Sequence, residues 1–411
     1  MIMRQLTQFW RLTLAGAVTA AACGRQTPPA HVVAVQPTAP RISEAEVRDL
    51  DIAFYAERVE RDPTGATDLV RLGVLYLARS RETGDPRDAI LAEAVARRSM
   101  RNRARHNEAA AQVLASSLLA QHRFNEALHL ATTARDAEPE NSALQAAVGE
   151  IQMELGQYDS ARVAFSKVHA PLGELALSPR LARWAEIQGN TEGARRLLHA
   201  ALATARRQSD MPRAQLAWYW MRVGDVELRA GNMSAADSAY RSGLAVNPDD
   251  YRLLSAMSRS MAGQKRWRSA IAFGERAIGV SLDPATLGTL SDAYAALGDS
   301  AKSVEYARVL DVVVGKQPGA YHRAWSLWML DHDRNIPHVA RKIREEMRTR
   351  QDVYAYDLLA WSLHRQGRDL EADNAMKIAL RLGTRDALLE QHSAAIRSAL
   401  GTQVGDAGGA R

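Results

Sequence analysis

A 34-residue segment, residues 217–250, most constrains what this chain can fold into. Its informative positions are Trp220, Val223, Gly224, Gly231, Ala236, Tyr240 and Pro248. Glycine adopts a left-handed conformation at little cost, so Gly231 can reverse the chain after a helix. Ala236 is small enough for a second helix to cross the first closely, and Tyr240 can fill the space between them. Because proline cannot continue a helix, Pro248 ends the second one. The segment predicts two antiparallel helices joined by a tight turn.

The same pattern returns along most of the chain. A small residue of the second helix recurs at intervals of 32 to 42 residues, at Ala127, Ala161, Ala194, Ala236, Ala270, Ser303, Ala340 and Ala372. Turn glycines keep the same register at Gly156, Gly189, Gly231, Gly298, Gly367 and Gly401, while Lys265 and Asn335 replace the turn glycine in two copies. Agreement between these two markers predicts a solenoid. In a solenoid each repeat contacts only its neighbours. We therefore expect damage to one repeat to loosen mainly the repeats beside it.

The segment resembles the tetratricopeptide repeat, whose signature is W-x2-L-G-x2-Y, then A-x3-F, then P, over 34 residues. One departure is Glu227, which stands where the family's first helix has tyrosine. The resemblance implies an all-α fold, a right-handed superhelix (solenoid) of antiparallel helix pairs. We expect about nine pairs with terminal helices over residues 42–401, followed by a disordered tail at residues 402–411.

The two ends of the repeat array carry their own signals. Ser43 and Glu46 form a capping box that starts a helix, and this helix should end before Pro63. Residues 82–88 predict an enlarged turn, and residues 205–212 predict a longer loop or an extended helix end. The last helix, over residues 386–400, should be unpaired. Its polar outer face would contain His392, Ser393 and Arg397 and would cap the core.

The N-terminus is typical of an export signal. Positive Arg4 and Arg11 precede or flank an apolar stretch over residues 12–22, which is too short to span a bilayer. The only cysteine of the chain, Cys23, follows directly. This arrangement resembles a bacterial lipoprotein signal, which implies removal of residues 1–22 and lipidation of Cys23. An ordinary secretory signal with an incidental cysteine is the alternative. A proline-rich tether over residues 23–41 would follow. By analogy with lipoprotein sorting, Gly24 favours an outer-membrane lipoprotein that faces the periplasm.

No motif for catalysis appears. The chain has no P-loop, no G-x-S-x-G and no H-E-x-x-H, so we expect no enzyme activity and no cofactor. The nearest approach to a metal spacing, His332, Asp333 and His338, is interrupted by Pro337 and predicts a surface turn. Removing the two signal arginines from a net charge of +6 leaves +4, which is too little to argue for nucleic acid.

Five arginines lie close together at Arg97, Arg98, Arg101, Arg103 and Arg105. They can be explained by the dipole at a helix C-terminus together with solvation. The alternative is a patch for an anionic lipid or glycan.

The concave face is the main candidate for function. In the family, positions 2, 5, 9, 12 and 13 of each first helix point inwards. Projected here, they predict a partner site at Trp218, Met221, Asp225, Arg229, Arg252, Arg259, Trp325, Tyr354, Trp361, His364 and Arg365. The same projection adds Glu150, Met153, Arg183, Glu186 and His322 to this face. Rings alternating with basic groups suit a protein or peptide partner, held by ring burial and carboxylate pairing. The alternative is that some of these rings pack between repeats.

These residues predict a non-catalytic scaffold in the bacterial envelope, with no nucleic acid and no small-molecule substrate. The alternative function is a structural subunit of an outer-membrane assembly or secretion complex that acts through its terminal repeats.

Overall fold

The computed structural model describes residues 42–316 and 323–408, except for the side chains of residues 402–408. These residues form helices and, within the described ranges, no strand. The helices are α1 (Glu44–Arg61), α2 (Ala66–Thr83), α3 (Pro86–Asn102), α4 (Glu108–Ala120), α5 (Phe124–Ala137), α6 (Ser142–Glu154), α7 (Tyr158–Ser166), α8 (Ser178–Ile187), α9 (Thr191–Ala205), α10 (Arg213–Arg229), α11 (Met233–Val246), α12 (Tyr251–Gly263), α13 (Trp267–Ile278), α14 (Pro284–Ala296), α15 (Ser300–Gly315), α16 (Arg323–Asp331), α17 (Ile336–Glu346), α18 (Val353–His364), α19 (Asp369–Ala379) and α20 (Ala387–Gly408). Between α1 and α20, the described chain forms nine consecutive pairs, from α2/α3 to α18/α19. The fold is an all-α solenoid of helix pairs.

The capping box at the start of α1 is present as predicted. The Ser43 hydroxyl accepts the Glu46 N–H at 3.2 Å, and the Glu46 carboxylate accepts the Ser43 N–H at 2.7 Å. The helix ends at Arg61, before Pro63. Pro248 likewise lies just beyond the end of α11 at Val246.

Left-handed residues close the tight turns between paired helices. Gly156, Gly189, Gly231, Gly298 and Gly367 all have φ between 71° and 82°. Lys265 and Asn335 adopt the same conformation with φ of 58° and 47°, so both replace glycine as predicted. His122 does the same between α4 and α5 with φ of 58°. Sequence reasoning missed this turn, because a residue other than glycine with positive φ is uncommon.

Two boundary predictions are wrong. The turn over residues 82–88 is not enlarged, because α2 runs to Thr83 and α3 begins at Pro86. Asp85 caps α3 by accepting the N–H of Arg87 at 2.9 Å, and proline suits the first turn of a helix. Gly401 is not a turn residue either, since α20 continues through it to Gly408. Residues 206–212 do form the predicted longer loop between α9 and α10.

The helix crossings depend on small residues, as predicted. The seven predicted alanines, Ala127, Ala161, Ala194, Ala236, Ala270, Ala340 and Ala372, are at most 2% exposed. At Gly224, an added Cβ would lie 2.3 Å from the ring of Tyr240, so only glycine fits there. Glu227 occupies the family's tyrosine position and is 2% exposed. Its carboxylate accepts from Arg195 at 2.9 Å and from Asn232 at 2.7 Å, so a polar bridge replaces the ring contact.

The expectation that each repeat contacts only its neighbours is wrong. Residues 155–189 pack against residues 351–389, a region that we call the C-terminal contact. There the Gln351 N–H donates to the carbonyl of Leu155 at 3.2 Å, and the Val353 N–H donates to the Tyr158 hydroxyl at 2.7 Å. Tyr158, Val353 and Leu389 also share one hydrophobic cluster. The solenoid therefore curves tightly enough for one turn to pack on the next.

A second, more polar contact of this kind lies near the N-terminal end, and we call it the N-terminal contact. Glu44 accepts the backbone N–H of Arg213 at 2.8 Å. A Cβ added at Gly84, after α2, would lie 2.4 Å from the Ser281 hydroxyl and 3.3 Å from that of Tyr251. The described residues from Ser43 onwards consequently form one compact unit. Among the helices that the structure describes, none combines the length and the apolar character needed to cross a bilayer.

Candidate functional site

First helices from different turns face one another across the inside of the solenoid. Arg183 of α8 donates to the Tyr354 hydroxyl of α18 at 3.3 Å, and its guanidinium lies 5.2 Å from the ring centroid. Arg323 of α16 contacts the same ring at 4.9 Å. Each cation is attracted to the ring face. The predicted partner residue Tyr354 is thus already engaged inside the protein.

Glu186 lies at the centre of an ionic network on this inner face. It is 6% exposed and accepts from Arg229 at 2.7 Å and from Arg222 at 3.3 Å. Burial opposes its charge, but Arg229, Arg222 and Arg183 outweigh burial and lower the pKa of Glu186. Asp225, another predicted partner residue, accepts the Tyr240 hydroxyl at 2.9 Å. These inner charges are therefore largely compensated within the chain.

Trp361 is buried rather than open to the inside. It is 9% exposed, and its ring stacks on His392 of α20 with centroids 4.2 Å apart and an angle of 10°. Its Nε1–H donates to Asp331 at 2.8 Å. The prediction that His392 lies on the polar outer face of the last helix is wrong, because His392 is 1% exposed and bonds the buried Asp357 at 2.7 Å. Ser393 is also buried, whereas Arg397 is exposed as expected.

The neighbours of Trp361 on α18 are engaged as well. Arg365 donates to Asp333 at 2.5 Å, and His364 bonds Asp369 at 2.6 Å. Each of these pairs ties a first helix to the turn or helix beside it. Binding of a partner by Trp361, His364 and Arg365 stays a prediction, but it would require these contacts to be exchanged.

Trp325 forms one wall of a cavity between α15, α16 and α17. The cavity has a volume of about 520 Å³ and is also lined by Asp311 and Lys342. The Trp325 Nε1–H donates to Asp311 at 3.1 Å, and the Lys342 ammonium lies 5.6 Å from the ring centroid. His338 meets the ring edge-on at 6.0 Å. The ring is 5% exposed and lies between the second helices α15 and α17, which carry Asp311 and Lys342.

The part of the inner face that stays open is basic. Arg252 and Arg259 lie seven residues apart on α12 and therefore share one face of that helix. Arg252 pairs with Asp250 at 2.6 Å. Arg259 is exposed and donates to the Ser255 hydroxyl at 2.6 Å, but it has no carboxylate partner among the described residues. Trp218 and Met221, on the preceding first helix α10, are partly buried.

Arg81 joins this surface from a different turn, and sequence reasoning missed it. It lies on α2, which meets α12 through the N-terminal contact. Arg81 is exposed, but the protein around its guanidinium and the charge of nearby Arg252 lower its pKa, while Glu82 partly offsets them. Within the described chain it forms no ion pair. No signal in a single repeat could have placed Arg81 beside α12, because the contact depends on the pitch of the whole solenoid. We call Arg81, Arg252 and Arg259 the inner arginine patch.

The five clustered arginines lie at the C-terminal end of α3. Arg97 pairs with Glu93 at 2.8 Å, and Arg98 donates to the carbonyl of Pro63 at 2.9 Å. Arg101, Arg103 and Arg105 are exposed. The cluster therefore combines two structural arginines with three solvated ones.

No group of three metal-ligating side chains is found in residues 42–316 and 323–408 that could hold a metal ion. His332 instead bonds Asp292 at 3.0 Å, and this bond raises the pKa of the imidazole. The predicted signal, Cys23, the tether and His322 all lie outside the described residues.

Comparison with known proteins supports the repeat assignment. Residues 118–170 match the family profile of the tetratricopeptide repeat. This segment covers the end of α4 and the whole of α5, α6 and α7. No curated protein matches the chain.

Solved structures that match this chain share little sequence with it. A human IFIT1 dimer with PPP-AAAA is 15% identical, with 84% of this chain and 96% of that chain covered and a TM-score of 0.44. The APC/C hetero-tetramer Cut9-Hcn1 is 11% identical, with 86% and 87% covered and a TM-score of 0.33. MamA is 13% identical, with 53% and 96% covered and a TM-score of 0.29.

Proposed function

We propose that this protein is a non-catalytic scaffold that holds a protein or peptide partner with acidic side chains on the inner arginine patch. Helical repeats of this type provide extended surfaces for protein partners. The observation that carries the proposal is the meeting of α2 with α12, which brings the exposed Arg81 close to Arg252 and its like charge. An acidic group of a partner would relieve this repulsion and form charge-assisted hydrogen bonds.

Two charge reversals test the patch. The full chain carrying Arg81→Glu and Arg259→Glu should lose a specific partner from detergent-solubilised envelope, with proteins identified by mass. The matched control is Arg162→Glu on α7, because Arg162 is 58% exposed and its nearest carboxylate, Asp159, is 4.0 Å away. Helical content and melting temperature should be the same in all three proteins. Capture of the same proteins by all three would count against the patch.

The place of action that we propose is the bacterial envelope, with a lipid on Cys23 as the anchor. The support is the sequence alone: one cysteine directly after a short apolar stretch that follows positive residues. Cys23→Ser should move the protein from the membrane to the soluble fraction. Retention of the variant in the membrane would contradict lipid anchoring.

A second candidate function is supported by the exposed face of α1. Val47, Leu50 and Phe54 are 46%, 61% and 53% exposed, at the spacing of one helical face. Terminal helices of solenoids usually carry a polar outer face. The apolar stripe therefore suits a structural subunit that joins other subunits through its N-terminal end. Leu50→Glu with Phe54→Glu should dissociate such an assembly in light scattering, and an unchanged mass would argue against it.

A further inference from the structure

A second cavity opens where two turns of the solenoid meet. It has a volume of about 340 Å³ and lies at the C-terminal contact. One wall comes from the turn between α6 and α7 with Gln157 and from the start of α5 with Asn125. The opposite wall comes from Arg348 and Thr349, which follow α17, and from Arg381, which follows α19. A ligand there would contact two turns at once.

The charge in this cavity is positive and uncompensated. No aspartate or glutamate lines it. Arg348 and Arg381 are exposed, and in the described ranges neither forms an ion pair. The nearby carboxylates are occupied by Arg350, which pairs with Asp352 at 2.5 Å and with Glu154 at 2.8 Å. Arg348 and Arg381 therefore have no share in either of these two carboxylates.

Neutral groups around the two guanidiniums add to the site. The side-chain amides of Asn125 and Gln157 line the cavity and are exposed, whereas the hydroxyl of Thr349 already donates to the carbonyl of Glu346 at 3.1 Å. The Arg381 guanidinium also lies 5.5 Å from the ring centroid of Tyr158, which holds it at the junction. Guanidinium forks with amide donors match the oxygens of a carboxylate or a phosphate.

We propose that this cavity binds an oxyanion, and that the bound anion fastens one turn of the solenoid to the next. It would add a bridge beside the backbone bond from Gln351 to Leu155. The site is separate from the inner arginine patch, so it stands or falls independently of the partner proposed above. The oxyanion could be free phosphate or a carboxylate of an acidic peptide, since both offer the same oxygens.

Thermal unfolding and calorimetric titration of the full chain test the site. Sodium phosphate should raise the melting temperature above the value in sodium chloride at equal ionic strength, because a ligand of the folded state stabilises it. Arg348→Gln and Arg381→Gln should each weaken phosphate binding at least about fivefold, as expected for loss of a charge-assisted contact. Arg344→Gln is the matched control, because Arg344 is exposed on α17 and does not line the cavity.

Hexaglutamate distinguishes the source of the anion, and hexaglutamine is its uncharged control. Tighter binding of hexaglutamate than of phosphate, with the same loss in the two variants, would assign the site to a peptide carboxylate. Phosphate binding without hexaglutamate binding would assign it to a free anion. An equal effect of phosphate and chloride, or equal weakening by Arg344→Gln, would overturn the proposal.

Discussion

Gly156→Ala should separate the two turns of the solenoid, and Gly231→Ala provides a matched control. Both glycines have positive φ, 78° and 81°, so alanine is strained at both by about 1 kcal/mol. At Gly231 a Cβ would meet nothing within 4 Å. At Gly156 it would lie 2.2 Å from the carbonyl oxygen of Gln351. The two substitutions thus differ only in the contact between turns.

The size of the difference follows from this geometry. To reach an ordinary van der Waals separation, the Gln351 carbonyl would have to retreat by about 1.2 Å. Overpacking of this kind typically costs about 1–3 kcal/mol. Gly156→Ala should therefore lower the free energy of unfolding by about 2–4 kcal/mol in total, against about 1 kcal/mol for Gly231→Ala.

Two measurements check this prediction. Urea unfolding followed by circular dichroism gives the two free energies. Spin labels on Asp159→Cys and Thr349→Cys, in a Cys23→Ser background, report the distance across the C-terminal contact. It should lengthen or broaden in Gly156→Ala alone. Equal destabilisation by both alanines, with an unchanged label distance, would refute close packing of Gly156 on the Gln351 carbonyl.

Other substitutions test the core and one carboxyl group. Ala161→Leu should cost about 1–3 kcal/mol by overpacking a helix crossing, and hydrogen exchange should rise around residues 141–175 and also around residues 351–389. A rise confined to the first region would contradict contact between turns. Trp361→Ala should cost about 3–5 kcal/mol in urea unfolding, because the ring is buried, and an unchanged stability would mean that the ring is not packed. Burial raises the pKa of Glu346 from its ordinary 4.5 to about 7, so the folded state keeps a proton that the unfolded state has lost. Stability should fall as pH rises through this window, and Glu346→Gln should reduce the fall in urea midpoints measured at about pH 5 and pH 8, leaving the part that comes from the raised pKa of His332.

The features that could be predicted from sequence are those set within one helix pair. Ala161 and Gly231 were placed correctly because a close crossing needs a small side chain, and a tight turn needs a left-handed residue. These requirements act over a few residues and repeat along the chain, so each copy supports the others. The capping box at Ser43 is local in the same way.

The features that escaped prediction depend on distant parts of the chain. The packing of one turn on another follows from small rotations that accumulate over several pairs, and no single repeat contains that sum. Trp361 has the right position for an inner-face residue, but α20 crosses over it and stacks His392 on its ring. Arg81 gains its role only because α12 lies opposite.

The contacts between turns also fix how many helix pairs this protein can have. An open array can gain or lose a pair at little expense, because every interior pair meets the same kind of neighbour. Here the insertion of one pair between α8 and α18 would move Gln351 away from Leu155 and Thr384 away from the carbonyl of Ile187, which it now contacts at 2.5 Å. A variant one pair longer would have to give up both bonds. The length of this array is therefore held by its own geometry, as the strand number of a closed barrel is, and duplication of a repeat should be tolerated only outside the contacting turns.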